Sequence, residues 1–203
     1  MNIEFMITSL IVVASPGTGA LVTLNAGPSQ GARTALVAAL GCTLGIIPHM
    51  LLAITGLATV LHASPWIFEL IKYGGVLYLL RMGWLVLNDD RLLPVEGEPR
   101  RQPALVVIRH AVLVNLLNPK LTIFFFAFLP QFVAQDDAAP MLSMVLLSLV
   151  FMAMTLAVFC VYGCFAAAVR DRVLASQAVM RWLRRSFAVA FVALGAKLAL
   201  ASR

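Results

Sequence analysis

The sequence carries very little charge for its length. Only 12% of its 203 residues are Asp, Glu, Lys or Arg, whereas 62% are hydrophobic. A soluble domain has about 25% charged residues, so this composition excludes an ordinary soluble domain and predicts a protein that crosses a membrane several times. The length allows about six spans with short loops and no separate soluble domain. The net charge of +6 comes mainly from two loops, which indicates loops retained on one side of a membrane rather than a nucleic-acid partner.

Cysteines and clustered acids are also scarce. The three cysteines, Cys42, Cys160 and Cys164, lie in apolar runs and form no CxxC pair, so packing explains them better than redox chemistry. No cysteine is close in the chain to the two proline breaks described below, which disfavours a membrane thiol or electron carrier. An intramembrane enzyme or a metal site needs clustered His, Asp or Glu, and the spans offer only scattered ones. We therefore expect no catalytic residue, no metal and no cofactor.

Long apolar runs separated by turn-forming or charged segments divide the chain into six predicted spans. They cover about residues 3–25, 34–61, 66–88, 111–132, 140–169 and 187–201. Residues 26–33 are predicted to form a turn-rich linker, and residues 89–110 a long polar loop. Residues 170–186 are basic and partly amphipathic, which is typical of a segment at the membrane surface. We interpret the chain as one transmembrane domain, 1–203, with a first repeat over 1–88 and a second over 111–203.

Two of the predicted spans are interrupted at corresponding places. Ser15-Pro16-Gly17-Thr18-Gly19 lies inside span one, and Asn118-Pro119-Lys120 lies inside span four. Proline removes a backbone donor and breaks the helical ladder. Spans two and five are both uncharged, and three spans per half would insert the second half upside down. The sequence therefore predicts an all-α membrane protein of six transmembrane helices, built as two inverted three-helix repeats with broken helices one and four.

Lysine and arginine are distributed very unevenly between the two sides. The loops after spans one, three and five contain ten of these residues, whereas the opposite side has only Arg203. Basic loops are retained in the cytoplasm. We therefore expect both termini to face outward.

The two breaks supply the candidate substrate-binding residues. Lys120 lies about 14 Å of helix rise into span four, near the middle of a bilayer core of about 30 Å. A lysine there would either neutralise an anionic group such as a carboxylate or bond to carbonyls that a broken helix leaves free. The hydroxyls of Ser15 and Thr18 could serve a polar substrate tail, and glycine lets a ligand approach the backbone. The full candidate set is Ser15, Pro16, Gly17, Thr18, Gly19, Asn115, Asn118, Pro119 and Lys120.

Two further residues are candidates for proton coupling. His49 follows Pro48 near the middle of span two, and Glu69 lies near one end of span three. A packed, hydrogen-bonded role for His49 and an ion pair of Glu69 with Lys72 three residues away are the simpler interpretations. For each residue, the coupling role and the simpler interpretation are both compatible with the sequence.

Several motifs together resemble the lysine exporter (LysE) superfamily, most closely its RhtB branch of homoserine/threonine-type amino-acid exporters. They are Ser15-Pro16-Gly17-Thr18-Gly19-Ala20, the Gly41/Gly45 helix, Gly75 to Gly83, Asn115-x-x-Asn118-Pro119-Lys120, Pro130-Gln131-Phe132 and Leu194-Gly195. Many members of this family read Pro-Gly-Pro followed by Asp or Asn at the first break, where Thr18 and Gly19 take the last two positions here. The missing acid favours a neutral amino acid over a cationic one.

The resemblance implies a non-enzymatic exporter of a homoserine- or threonine-like amino acid in the bacterial inner membrane, driven by the proton gradient. A small-molecule channel of similar helical plan is an alternative to such a carrier. Whether the protein forms a homodimer is left open.

Overall fold

The computed structural model describes residues 2–15, 17–63, 65–88, 102–134, 136–173 and 177–200. Within these residues the chain is helical, with short turns and no strand, which confirms the predicted all-α class. The helices are α1 (Ile3–Ala14), α2 (Thr18–Gln30), α3 (Ala32–Leu44), α4 (Ile47–Ala63), α5 (Pro65–Asn88), α6 (Ala104–Leu116), α7 (Pro119–Ile123), α8 (Pro140–Val173) and α9 (Gln177–Leu200). A π-helical turn, Phe124–Phe128, and a 3-10 turn, Leu129–Phe132, follow α7.

Up to four membrane spans can be identified among the described residues. Ala32–Gly56 and Pro140–Phe165 are each long and apolar enough to cross a bilayer, with mean hydropathies of 2.0 and 2.7. Two bent helix pairs, Ile3–Ala14 with Thr18–Leu24 and Ala104–Leu116 with Pro119–Phe132, reach the same standard when each is counted as one span. Helices α5 and α9 correspond to predicted spans three and six, but they are not among these four spans.

The predicted break in span one is confirmed. Helix α1 ends at Ala14, where the Ser15 amide donates to the Ile11 carbonyl at 2.9 Å. Helix α2 begins at Thr18 after an extended Gly17, and the two helix axes meet at 60°. Pro16 itself lies outside the described residues. The end of α1 therefore presents backbone carbonyls that have no partner within the helix.

The predicted break in span four is also confirmed. Helix α6 ends at Leu116, and α7 begins at Pro119 after a bend of 52°. The Asn118 side chain caps α7 by accepting a hydrogen bond from the Lys120 amide at 3.1 Å. Asn is a favoured N-cap and Pro a favoured first helical residue, so Asn-Pro-Lys restarts the helix immediately after interrupting it.

Span two contains a break that the sequence analysis missed. Residues 34–61 were predicted as one continuous helix, but α3 ends at Leu44 and α4 begins at Ile47. Pro48 has no amide hydrogen, so the Leu44 carbonyl cannot receive its usual helical bond. The Ile46 amide instead bonds the Thr43 carbonyl at 3.1 Å, as in a tighter turn. His49 therefore lies just after a helix break.

Two other predicted boundaries are wrong. Helix α2 continues through the expected linker 26–33 to Gln30, and the turn narrows to Gly31, whose φ of 90° suits only glycine. Helix α6 begins at Ala104, so residues 104–110 are helical rather than part of the polar loop. The residues of 170–186 that the structure describes belong to the end of α8 and the start of α9. That this segment lies at the membrane surface stays a prediction.

Glycines allow α3, α6 and α8 to pack closely. A Cβ added at Gly41 would lie 2.8 Å from the Ala111 Cβ, and one added at Gly45 would lie 2.9 Å from the Asn115 Cβ. Such distances are too short for real Cβ atoms, so any side chain at Gly41 or Gly45 would separate α3 from α6. Gly41 and Gly45 therefore allow α3 to pack closely against α6. Their packing holds Asn115 against α3, beside the first break.

Candidate functional site

The Lys120 side chain joins the two helix breaks. It is 5% exposed, and its Nζ donates to the Val12 carbonyl at 2.9 Å, the Ser15 carbonyl at 3.0 Å and the Ser15 hydroxyl at 3.3 Å. An ammonium has three donors, so all three are used. The acceptors belong to the end of α1, which is the negative end of its dipole. Lys120 therefore donates to free carbonyls of a broken helix. These carbonyls belong to span one, whereas Lys120 itself belongs to span four.

Hydroxyl groups also bond the carbonyls at the end of α1. The Tyr162 hydroxyl of α8 donates to the Ala14 carbonyl at 2.6 Å, and the Ser15 hydroxyl donates to the Val12 carbonyl at 2.7 Å. Buried carbonyls without partners are costly, so these bonds define the geometry of the break. Val12 and Tyr162 were not predicted as site residues, because neither is charged nor adjacent to a proline break.

The two predicted asparagines form one buried network behind Lys120. The Asn118 amide nitrogen donates to Asn115 Oδ1 at 3.2 Å, and the Asn115 amide nitrogen donates to the Cys42 carbonyl at 2.5 Å. Asn118 Oδ1 already accepts from the Lys120 amide. The network therefore ties the second break to α3 and fixes the position of Lys120.

His49 links α4 to both halves of span four. Its Nε2 lies 3.1 Å from the Asn115 carbonyl, and its Nδ1 lies 3.2 Å from the Thr122 hydroxyl. A carbonyl can only accept, so Nε2 carries a proton and the neutral ring accepts at Nδ1 from Thr122. The packed, hydrogen-bonded interpretation of His49 therefore describes its geometry.

Glu69 stands apart from this network. It forms an ion pair with Lys72, at 2.9 Å, on the next turn of α5. The simpler interpretation of Glu69 therefore describes its geometry, as it does for His49.

The candidates at the first break do not all face the site. A Cβ at Gly17 would lie 2.9 Å from Lys120 Nζ, and one at Gly19 would lie 2.7 Å from Asn115 Oδ1. These glycines admit the neighbouring side chains. Thr18 is exposed and is not among the residues that line the cavity described below. Pro119 is likewise exposed and acts through the backbone at the start of α7.

Cys42 lies closer to the first break than its place in the sequence indicated. Its thiol lies 3.5 Å from the Gly19 carbonyl, which also accepts from the Thr23 hydroxyl at 3.0 Å. Because α3 packs along α2, Cys42 lies near the first break in the structure although it is distant from it in the chain. The expectation that no cysteine lies near a break is therefore wrong. Cys42 is buried and forms no disulfide.

A small cavity lies between the breaks and α8. Its volume is about 10 Å³, and its walls are Val12, Val13, Gly19, Ala20, Asn115, Asn118, Lys120, Leu121, Phe151, Thr155 and Phe159. This is room for about one water molecule, whereas ligand pockets have volumes of about 300–1,000 Å³. The cavity therefore has no room for an amino acid in this structure. The contribution of α8 was not predicted, because its apolar residues resemble ordinary helix packing.

Two interrupted membrane helices that meet at a buried polar cluster correspond to the general plan of a secondary transporter. The LysE type translocator family matches residues 10–202, and the chain belongs to this family. The resemblance noted from the sequence motifs is thereby confirmed.

Relatives of this chain include proteins named for amino-acid efflux. The leucine efflux protein of Klebsiella pneumoniae is 26% identical over 149 residues, which is 72% of this chain and 70% of the relative. The homoserine/homoserine lactone efflux protein of Salmonella typhimurium is 30% identical over 129 residues, 64% of this chain and 63% of the relative. An uncharacterized membrane protein of Vibrio cholerae is 30% identical over 131 residues, 64% of each chain. The chain thus spans roughly two thirds of these relatives. No solved structure matches it.

Proposed function

We propose that this protein exports a neutral amino acid across the bacterial inner membrane as a proton-coupled secondary transporter. The observation that carries the proposal is the buried ammonium of Lys120, held between the two breaks by the Val12 and Ser15 carbonyls. Family membership and the names of the relatives support efflux as the activity.

The bonds of Lys120 suggest how a zwitterion would bind. A pair of carbonyls that already holds one ammonium can hold the α-ammonium of an amino acid in its place. Lys120 would then turn to the substrate carboxylate, since bonds between charged groups are shorter and stronger than bonds to neutral carbonyls. Binding is therefore an exchange of partners, in which the substrate inserts between Lys120 and the end of α1.

The groups nearest to Lys120 in the chain, Asn118 and the carbonyls freed by Pro119, are not the acceptors of the α-ammonium in this scheme. Asn118 Oδ1 is occupied by the Lys120 amide, and the Asn115 carbonyl is occupied by His49. The Val12 and Ser15 carbonyls accept hydrogen bonds from Lys120 and from the Ser15 hydroxyl, and these donors can change partners.

The exchange also provides a reason for alternating access. Without substrate, Lys120 ties span four to span one and the cavity stays closed. Insertion of a zwitterion replaces this direct tie with one through the substrate, which lets the two breaks move apart. A ligand can shift a conformational equilibrium only by binding the two states differently, and this change of partners supplies such a difference.

A neutral side chain fits the surroundings best. Among the residues that the structure describes, the walls of the cavity include no acidic residue, so a lysine or arginine side chain would find no counter-charge from them. Burying an unpaired charge is costly. This agrees with the absence of an acid at the first break in the sequence.

For proton coupling we propose His49 ahead of Glu69. A proton added at Nδ1 would turn Thr122 from donor to acceptor and so change the contact of α4 with the restarted helix of span four. Glu69 is paired with Lys72 and does not line the cavity.

Efflux measured in cells tests the proposal directly. In a bacterial strain lacking its main amino-acid exporters, overexpression should speed the efflux of neutral amino acids loaded as dipeptides, and a protonophore should slow it. Lysine and arginine efflux should not change. If no neutral amino acid leaves faster, the proposed function is wrong; if efflux persists at full rate with the protonophore, a channel or another driving ion replaces the proton-coupled carrier.

We further propose the inverted repeat with both termini outward. Span one packs on span five, mainly through α2 and α8, and span two packs on span four, mainly through α3 and α6. Counted by whole spans, these contacts exchange with each other when spans one to three are exchanged with spans four to six, although the half-helices that carry them differ. The contact between α5 and α9 would map onto itself. The basic loops give the orientation.

Thiol labelling in intact cells tests this topology. In a chain whose three native cysteines have been replaced, Ala138→Cys should react with a membrane-impermeant reagent, and Gln102→Cys should react only after the cells are opened. Both positions are exposed in the structure. The reverse pattern would overturn the orientation, and equal labelling from outside would show that span four does not cross the membrane.

A further inference from the structure

The cavity between the breaks has two chemically different walls. Lys120, Asn115 and Asn118 form a polar wall, whereas Phe151 and Phe159 of α8 lie on an apolar one. The proposed exchange of partners fixes both charged groups of the substrate at the polar wall. Its side chain is then left to point toward α8.

The hydroxyl groups near the cavity are poorly placed for a polar side chain. The Ser15 hydroxyl donates to the Val12 carbonyl, and the Thr155 hydroxyl donates to the Phe151 carbonyl at 2.8 Å. Thr18, which the sequence suggested as a partner for a polar tail, is exposed. A substrate hydroxyl would therefore lose its hydrogen bonds to water without gaining equivalent donors, which is unfavourable.

The two aromatic rings of the apolar wall are held in defined positions. The Phe151 ring stacks on Phe124 with centroids 4.3 Å apart. The Phe159 ring stacks on Tyr162 at 6.3 Å, and its edge lies 3.1 Å from the place a Cβ on Gly19 would occupy. Tyr162 is itself bonded to the end of α1. Rings held on both sides form a wall of fixed shape, which is the requirement for discriminating side chains by size.

We propose that Phe151 and Phe159 determine the specificity of this transporter and select an uncharged aliphatic side chain of about the size of leucine over a hydroxylated one. This inference rests on the proposed function and narrows it from any neutral amino acid to one with an apolar side chain. It is opposed to the homoserine- or threonine-like side chain that the sequence motifs imply. Phe159 faces the substrate from the same side of α8 as Phe151, two helical turns away. Neither residue is needed to hold the charged groups.

Counterflow in proteoliposomes tests the proposal. Wild-type protein should exchange labelled leucine at least about tenfold more efficiently than homoserine, since apolar pockets discriminate by roughly 10- to 200-fold. Phe159→Ala should shift this preference toward bulkier substrates such as phenylalanine while exchange continues. Phe159→Leu, which keeps an apolar side chain, provides a second variant if the alanine variant does not accumulate. Phe165→Ala is the matched control, because Phe165 is on α8 but 55% exposed.

The outcomes separate this inference from the proposed function. If the wild type exchanges homoserine as well as leucine, or if Phe159→Ala and Phe159→Leu slow all substrates equally, α8 does not select the side chain and the inference is wrong. A shift in preference caused equally by Phe165→Ala would contradict it too. If the wild type exchanges no amino acid at all, the proposed function fails, and this inference fails with it.

Discussion

Replacing Lys120 with methionine is expected to abolish amino-acid efflux while the protein still inserts into the membrane. Methionine fills a similar volume but supplies no ammonium for the substrate carboxylate. Hydrogen bonds to charged groups are worth about 1.5–3 kcal/mol each, so losing two of them slows transport by roughly 100-fold or more. The measurement is the initial efflux rate divided by the amount of membrane-inserted protein.

Lys72→Met is the matched control for this substitution. Lys72 is also 5% exposed but pairs with Glu69, away from the cavity. Its replacement should leave normalised efflux within a few-fold of wild type. Lys120→Arg should restore little activity, because a planar guanidinium does not replace a compact ammonium between two carbonyls. If Lys120→Met keeps normal efflux per molecule but accumulates poorly, the lysine only ties the two breaks together and does not bind substrate.

Asn115→Ala is expected to lower both stability and efflux. The Asn115 side chain bonds the Cys42 carbonyl and the Asn118 amide, and both would lose a buried partner. Each unsatisfied buried group costs about 1–3 kcal/mol, so we expect a loss of about 3 kcal/mol and at least tenfold slower efflux. Thermal denaturation of the purified protein in detergent, together with the normalised efflux rate, measures both effects.

Asn88→Ala provides the corresponding control at an exposed asparagine. The Asn88 amide bonds the Trp84 carbonyl at the end of α5, where water can replace it. We expect no resolvable change in melting temperature or efflux. Equal melting temperatures for Asn115→Ala and wild type would show that the buried network does not hold the second break in place.

The sequence alone predicted the two breaks and the candidate lysine, because proline and buried charge are strong local signals. Pro119 has no amide hydrogen and Asn118 is a good cap, so the restart of the helix at this point follows from local chemistry. Lys120 was conspicuous because lysine is rare inside apolar runs. The family motifs lie in these same segments, so the residues that form the breaks are also the ones that carry the resemblance.

The partners of Lys120 could not be predicted, because they depend on which helices pack together. Val12 and Ser15 are more than a hundred residues away in the chain, and their contribution is backbone carbonyls, which any residue possesses. The wall formed by Phe151 and Phe159 was missed for a similar reason. Apolar residues at helical spacing look the same whether they pack against a helix or line a cavity.

The errors in the helix boundaries have local explanations. Pro48 was noticed in the sequence, but its apolar surroundings favoured a continuous span, and the break before it was missed. Residues 104–110 were assigned to a loop because of Arg109 and His110, yet both are exposed on a helix. A helix can extend beyond a membrane with polar residues on its surface, so charge alone does not mark where the helix begins.

The central claim is that a zwitterion inserts between Lys120 and the carbonyls that end α1. The most direct test uses counterflow by the purified wild-type protein in proteoliposomes, with the amino acid that it exchanges best as the labelled substrate. The competitors are the matching acid without the amino group and the matching amine without the carboxylate. We predict that neither competes at a tenfold excess, because each lacks one of the two charges that the site exchanges. Inhibition by either analogue at the concentration at which the unlabelled amino acid inhibits would contradict the account.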